Sequence, residues 1–261
     1  MTDALRYEWT RLRTLRSTYW LIALALVLSA AVAFAAAFAT RNETADQVLI
    51  GAVIQGGGAF SPLPFTAVFM AIIGIFATGH EYRHSTIQPT LTTIPQRSPL
   101  LAAKVIVVAL TALVVTLVSM AINLGIGAIF WGEVPDLGQE PLNEALPGYV
   151  VMVVLWAILG LGLAQLFRGV PSALTVILVF PLVVEGLIVG LSTIPALDWL
   201  QPLIKFLPFT AGQQLAGLDA VPGEGGPEFD LFDRWVSGGV FAAFVAIILA
   251  VAWVLFKKRD A

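Results

Sequence analysis

Six stretches of the chain are almost unbroken runs of apolar residues: approximately Tyr19 to Ala39, Phe60 to Thr78, Val105 to Phe130, Tyr149 to Phe167, Ala173 to Ile194 and Val236 to Phe256. A helix needs about 20 such residues to cross a hydrocarbon core of about 30 Å. The pattern therefore predicts an all-α integral membrane protein with six transmembrane helices. No internal repeat or low-complexity tract divides the chain, so residues 1–261 read as a single transmembrane domain. Arg residues precede the first run, and Ala37-Phe38-Ala39 resembles a signal-peptide cleavage site. The run exceeds the usual apolar length of a signal peptide, about 7 to 15 residues, and is expected to be retained as a span.

Composition agrees: 58% of the residues are hydrophobic and 12% charged, against about 25% charged in soluble domains. With no Cys, the chain offers neither a disulfide framework nor a thiolate metal site. The loops carry the topology, because cytoplasmic loops are enriched in Lys and Arg. Eleven basic residues fall on one side: Arg6, Arg11, Arg13, Arg16, Arg83, Arg97, Lys104, Arg168, Lys257, Lys258 and Arg259. Only Arg41, Lys205 and Arg234 fall on the other, which also holds twelve of the seventeen acids. Both termini are expected in the cytoplasm, in a multi-pass protein of the plasma membrane. The stretch 195–235 is expected outside, with the Gly/Pro-rich 221–230 as its loop tip.

Two polar segments stand out. At the N-terminus, Leu5, Trp9, Leu12 and Tyr19 lie near one helical face and Arg6, Arg13 and Ser17 on another. This predicts a basic amphipathic helix over 1–18, lying in the headgroup region. It serves either to anchor the chain or to contact a partner. The second segment, 79–104, is much longer than a simple helix connection needs. Ser85 or Thr86 can cap a short helix there, Pro89 fits its first turn, and Pro95 stops it. Ile87, Leu91 and Ile94 make an apolar stripe on that helix. The stripe either rests on the membrane surface, with Arg97 and Lys104 snorkelling, or docks onto a soluble protein.

The basic N-terminal helix, six spans with both ends inside, the inner Glu81-Tyr82-Arg83-x-x-Thr86 segment running to "TLTTIPQRSPLLAAK", and the outer "FLPFTAGQQL" at 206–215 together resemble the membrane subunits of ABC-2-type exporters, which belong with the type V exporters. The resemblance covers nearly the whole chain. It implies an elbow helix at the N-terminus and a coupling segment after the second span, seated in a groove of a separate ATPase subunit. It assigns Glu81, Arg83, Thr86, Leu91 and Ile94 to that ATPase coupling. The sequence departs from the family at Ser85, where many members carry Gly.

No phosphate-cradling G-x-x-x-x-G-K-[ST] loop occurs in the chain, so no catalytic residue is assigned. ATP and Mg are expected on the partner ATPase, and a second permease copy or paralogue is expected to complete the pore. Membrane lipid is an expected partner and nucleic acid is not. Glu185 is the lone acid within a span, where a charge costs about 2.5 to 3.5 kcal/mol on insertion scales. It is a candidate for the transport path, or else a structural group bonded to a neighbouring helix. Pro181 beside it predicts a kink. Asn123 and Gln165 read as interhelical hydrogen-bonding groups.

Two other classes compete with the exporter. His80-Glu81-x-x-His84 has the form of a zinc-protease motif, but the chain has only these two His. A third ligand must come from an acid, and Asp198 and Asp219 are expected about 30 Å away across the bilayer. Arg83 also sets a fixed cation between the ligands, so no metal site is expected. An ATP-independent pore or scaffold would leave the long inner segment without a use. The transported substrate is not encoded in any legible motif.

Overall fold

A computed structural model describes residues 1–42, 45–93, 97–218 and 230–258, with only the backbone given for Thr90, Leu91 and Thr93. Among the described residues all regular structure is helical. In chain order the α-helices are α1 (Thr2–Thr14), α2 (Arg16–Ala39), α3 (Gln47–Ile54), α4 (Phe65–Arg83), α5 (Ile87–Thr93), α6 (Arg97–Trp131), α7 (Leu142–Phe167), α8 (Val170–Val179), α9 (Gly186–Ser192), α10 (Gln201–Ile204), α11 (Pro208–Ala216) and α12 (Arg234–Lys258). Among the described residues six helical units are long and apolar enough to cross a membrane: α2, α4, α6, α7, α8 continued through α9, and α12. The chain is a multi-pass helical membrane protein.

The six spans fall where the apolar runs predict, with shifted ends. The second begins at Phe65, because Pro62 and Pro64 keep the preceding residues out of helical conformation. The third begins already at Arg97 and holds 35 residues, about 52 Å of helix at 1.5 Å per residue. It outruns the hydrocarbon by several turns, so the connection from α4 is shorter than 79–104. Ile94 and Pro95 lie outside the described residues, as does 221–229 of the outer loop tip.

The centre of the bundle is the pair α4 and α7, the most buried of the spans. Their backbones touch because small residues face each other. A Cβ on Gly74 would overlap the carbonyl of Ala157, and one on Gly160 would overlap the carbonyl of Ala71. Close approach through small side chains is how spans gain packing where lipid supplies no hydrophobic drive. Around this seam Tyr149, Met152 and Trp156 are fully buried.

Around Pro181 the helix runs as a π-helical stretch, Phe180–Glu185, between α8 and α9. Proline has no N–H to give to the preceding turn, and a wider turn absorbs the mismatch. Two short helices, α3 and α11, lie at the end of the bundle opposite α1; this is the apical end, and the end carrying α1 is the basal end. The apolar pattern does not foretell α3, since its eight residues are too few to span.

The N-terminal segment departs from the predicted single amphipathic helix. Leu15 is extended, with ψ 115°, so α1 ends there and Tyr19 belongs to α2. The inward face of α1 carries Ala4 and Glu8, both buried, while Trp9 is exposed. The reason is electrostatic: Glu8 has cationic partners inside the bundle.

Candidate functional site

At the basal end, four charged side chains from three helices close a ring of alternating sign. Glu8 and Arg11 come from α1, Glu81 from the last turn of α4, and Lys104 from α6. Lys104 Nζ lies 2.7 Å from Glu8 Oε1 and 2.8 Å from Glu81 Oε1. Arg11 Nη1 lies 2.6 Å from Glu81 Oε1 and 3.3 Å from Glu8 Oε2. Both cations also donate to the carbonyl of Ala77, at 2.8 Å from Arg11 and 3.1 Å from Lys104. Glu8, Glu81 and Lys104 are 3%, 1% and 2% exposed, so this is a desolvated ion cluster and not a surface pair. Two carboxylates balance two cations, which a low-dielectric interior requires. Burial pushes the Glu8 carboxyl above the ordinary glutamate range, with Lys104 and Arg11 opposing. Lys104 therefore does not snorkel, as the sequence allows; it turns inward because two acids meet it.

The six residues Gly79 to His84 fan out around the end of α4. Gly79 packs on Val170, and His80 stacks on Phe76 with ring centres 4.2 Å apart. Glu81 enters the ion ring. Tyr82 accepts a hydrogen bond from Gln165 Nε2 at 2.7 Å and lies under the Arg168 guanidinium, which ties α4 to the end of α7. Arg83 is exposed.

The turn that follows is stereochemically specific. The Ser85 amide bonds the Tyr82 carbonyl at 3.3 Å and the Thr86 amide bonds the Glu81 carbonyl at 2.9 Å. This is the paired 5→2 and 6→1 pattern that closes a helix through a left-handed residue. Ser85 holds that place with φ 54°, where glycine is favoured. Ser85 thus ends α4 and does not cap α5. The short helix predicted after it exists as α5, but Ile87 is buried in the main core and does not extend an exposed stripe. Of the predicted coupling residues, Arg83 and Thr86 are exposed at the turn and Glu81 is buried behind it. Leu91 lies on α5, and Ile94 is outside the described residues.

At the apical end α11 packs between α7 and α12, with Phe209 against Trp156, Phe180 and Phe241. A short helix inside a bundle exposes its unpaired terminal amides and carbonyls to an apolar medium. Here each end has a charged partner from another element. Pro208 has no amide to satisfy, the Phe209 and Thr210 amides donate to Glu185 at 2.8 and 2.7 Å, and Thr210 Oγ1 donates at 2.8 Å. The Ala211 amide bonds the Leu207 carbonyl at 2.8 Å. At the other end Arg234 donates to the Leu215 and Gly217 carbonyls at 3.1 and 2.6 Å, and Gln55 donates to the Ala216 carbonyl at 3.0 Å. The anion is at the N-terminus and the cation at the C-terminus, as the helix dipole favours. Glu185 is 3% exposed; it is bonded to a neighbouring helix.

The two intramembrane amides also join helices. Asn123 Nδ2 bonds Ser29 Oγ at 2.9 Å and the Ile54 carbonyl at 3.0 Å, linking α6 to α2 and α3. Gln165 makes the Tyr82 bond described above. Sequence reasoning missed Glu8, Arg11 and Arg234. The available signal was Lys104 in "LLAAKVIVV", since a lysine flanked by apolar residues on both sides needs a buried acid.

For the zinc pattern, the His80 and His84 rings lie 6.0 Å apart, while Glu81 is already committed to two cations. Among the described residues no group of three or more His, Asp or Glu could hold a metal ion.

Together these features define a six-span α-helical membrane protein with a buried ion ring at one end and a charge-capped inner helix at the other. The chain belongs to the family described as Protein of unknown function (DUF2705), whose model matches residues 20–261. The match covers Glu81, Lys104, Glu185 and Arg234 and begins after Glu8 and Arg11. No curated protein matches the chain.

Proposed function

We propose that this chain is the membrane-spanning permease subunit of an ATP-driven exporter of the ABC-2 type, paired with a second permease copy and with separate ATPase subunits that bind ATP and Mg. Both termini and the α4–α6 connection face the cytoplasm in this reading, and the membrane is the plasma membrane. The observation that carries it is the basal arrangement. A turn with exposed Arg83 and Thr86, followed by α5, springs from a helix end locked to α1 and α6 through Glu81. A partner pressing on that turn acts on a rigid lever, because Glu81 transmits the load through ion pairs and makes no surface contact itself. Arg83, Thr86, Leu91 and Ile94 are the contact residues, and Glu185 acts as the structural cap of α11.

Purification of the full chain from native membranes in mild detergent tests this. A P-loop ATPase should co-purify in stoichiometric amount, and Leu91→Asp should lose it while the chain still inserts. Purification of the wild-type chain without any ATPase, or an ATPase held equally by Leu91→Asp, would overturn the docking assignment.

A further inference from the structure

We propose that a groove between α1, α2 and α6 is a binding site for one anionic glycerophospholipid, with an acyl chain between the helices and the phosphate on Arg13. The groove encloses about 440 Å³, within the range of ligand sites, about 300 to 1,000 Å³. Leu12, Ile22, Leu110 and Val114 form its walls. Leu110 and Val114 are exposed faces of a spanning helix, so the groove opens sideways into hydrocarbon.

Two of the polar groups around it are already engaged. Thr111 Oγ1 donates to the Val107 carbonyl at 2.8 Å, and the Tyr19 hydroxyl donates to the Arg13 carbonyl at 2.8 Å. That second bond pins the start of α2 to the end of α1 at the groove mouth. The Arg13 guanidinium is exposed there and makes no ion pair among the described residues. Arg6 and Arg16 are exposed on the same short stretch of chain, and Trp9, Tyr19 and Trp20 are exposed beside them. Aromatic side chains and basic residues together mark headgroup level in a bilayer. An apolar slot with a free cation at its headgroup end matches a phospholipid with net negative charge, and neutral phosphatidylcholine matches it less well. The site is independent of the transport reading, since it needs only a bilayer around the spans.

Native mass spectrometry of the purified full chain, given equal amounts of dioleoyl phosphatidylglycerol and dioleoyl phosphatidylcholine, tests the proposal. The wild-type chain should retain one phosphatidylglycerol in preference by about fivefold for each basic contact. Arg13→Gln should bring the two lipids to near parity, and Val114→Trp, which fills the slot, should lose both. Arg13 has no ion pair to break and Val114 faces outward, so both variants should fold. Equal retention of the two lipids by the wild type would overturn the site. So would unchanged phosphatidylglycerol retention in either variant, or a dimer of the chain that Val114→Trp dissociates.

Discussion

The basal ion ring and the apical α11 clamp both bury charge in a chain that has little of it, and they do so in opposite ways. In the ring, side-chain charges neutralise one another, and each of three helices contributes at least one. In the clamp, Glu185 and Arg234 lie at opposite ends of α11 and answer backbone dipoles, not each other. The contrast follows from helix length. Spanning helices satisfy their own backbones and need only be fixed relative to their neighbours. A nine-residue helix inside the bundle cannot satisfy its ends, and charged side chains from elsewhere must do so. Ion pairs set the register between helices at one end, and caps make a short helix tolerable at the other.

This difference predicts an ordered set of effects. The largest belongs to the ring. Glu81→Ala leaves Lys104 and Arg11 sharing the single carboxylate of Glu8, and loss of one member of a buried ion cluster costs about 3–5 kcal/mol. The double change Glu81→Gln with Lys104→Met leaves Glu8 and Arg11 balanced and should cost markedly less than the two single changes summed. Thermal unfolding in detergent reads both, and simple additivity would refute mutual neutralisation. Next comes the clamp: Glu185→Ala leaves a buried amide, a half-buried amide and a hydroxyl without their acceptor and should cost about 2–3 kcal/mol. Because Glu185 and Arg234 share no contact, and the Glu144 carboxylate that Arg234→Met releases is more than half exposed, Glu185→Ala combined with Arg234→Met should be near additive. The smallest effect has the opposite sign. Ser85→Gly relieves a left-handed residue at the end of α4 and should stabilise the chain by about 1 kcal/mol.

The spans were legible because a helix crossing lipid must be apolar for its whole length, and the runs from Tyr19 to Phe256 record that directly. The polar glue was legible too, since Asn123 and Gln165 had no other use inside a span. The short helices were not, because α3 and α11 are too brief to make a hydropathy signal and gain their stability from partners distant in the chain, Gln55 with Ala216 and Glu185 with Phe209. The ring was hidden for a related reason. Amphipathic spacing sorts charges outward and so allows Lys104 to snorkel toward headgroups, when Lys104 and Glu8 are held inside by each other. Glu81 and Glu185 were both singled out by sequence, yet their partners lie on elements that periodicity cannot bring together.

If the ring is what holds α1 to the bundle, hydrogen–deuterium exchange of the purified Lys104→Met variant tests it most directly. The amides of Thr2–Thr14 should lose protection relative to the wild type, while Pro208–Ala216, held by its own caps at the far end, should exchange as before. Unchanged protection in α1, or equal loss at both ends, would contradict this division of labour.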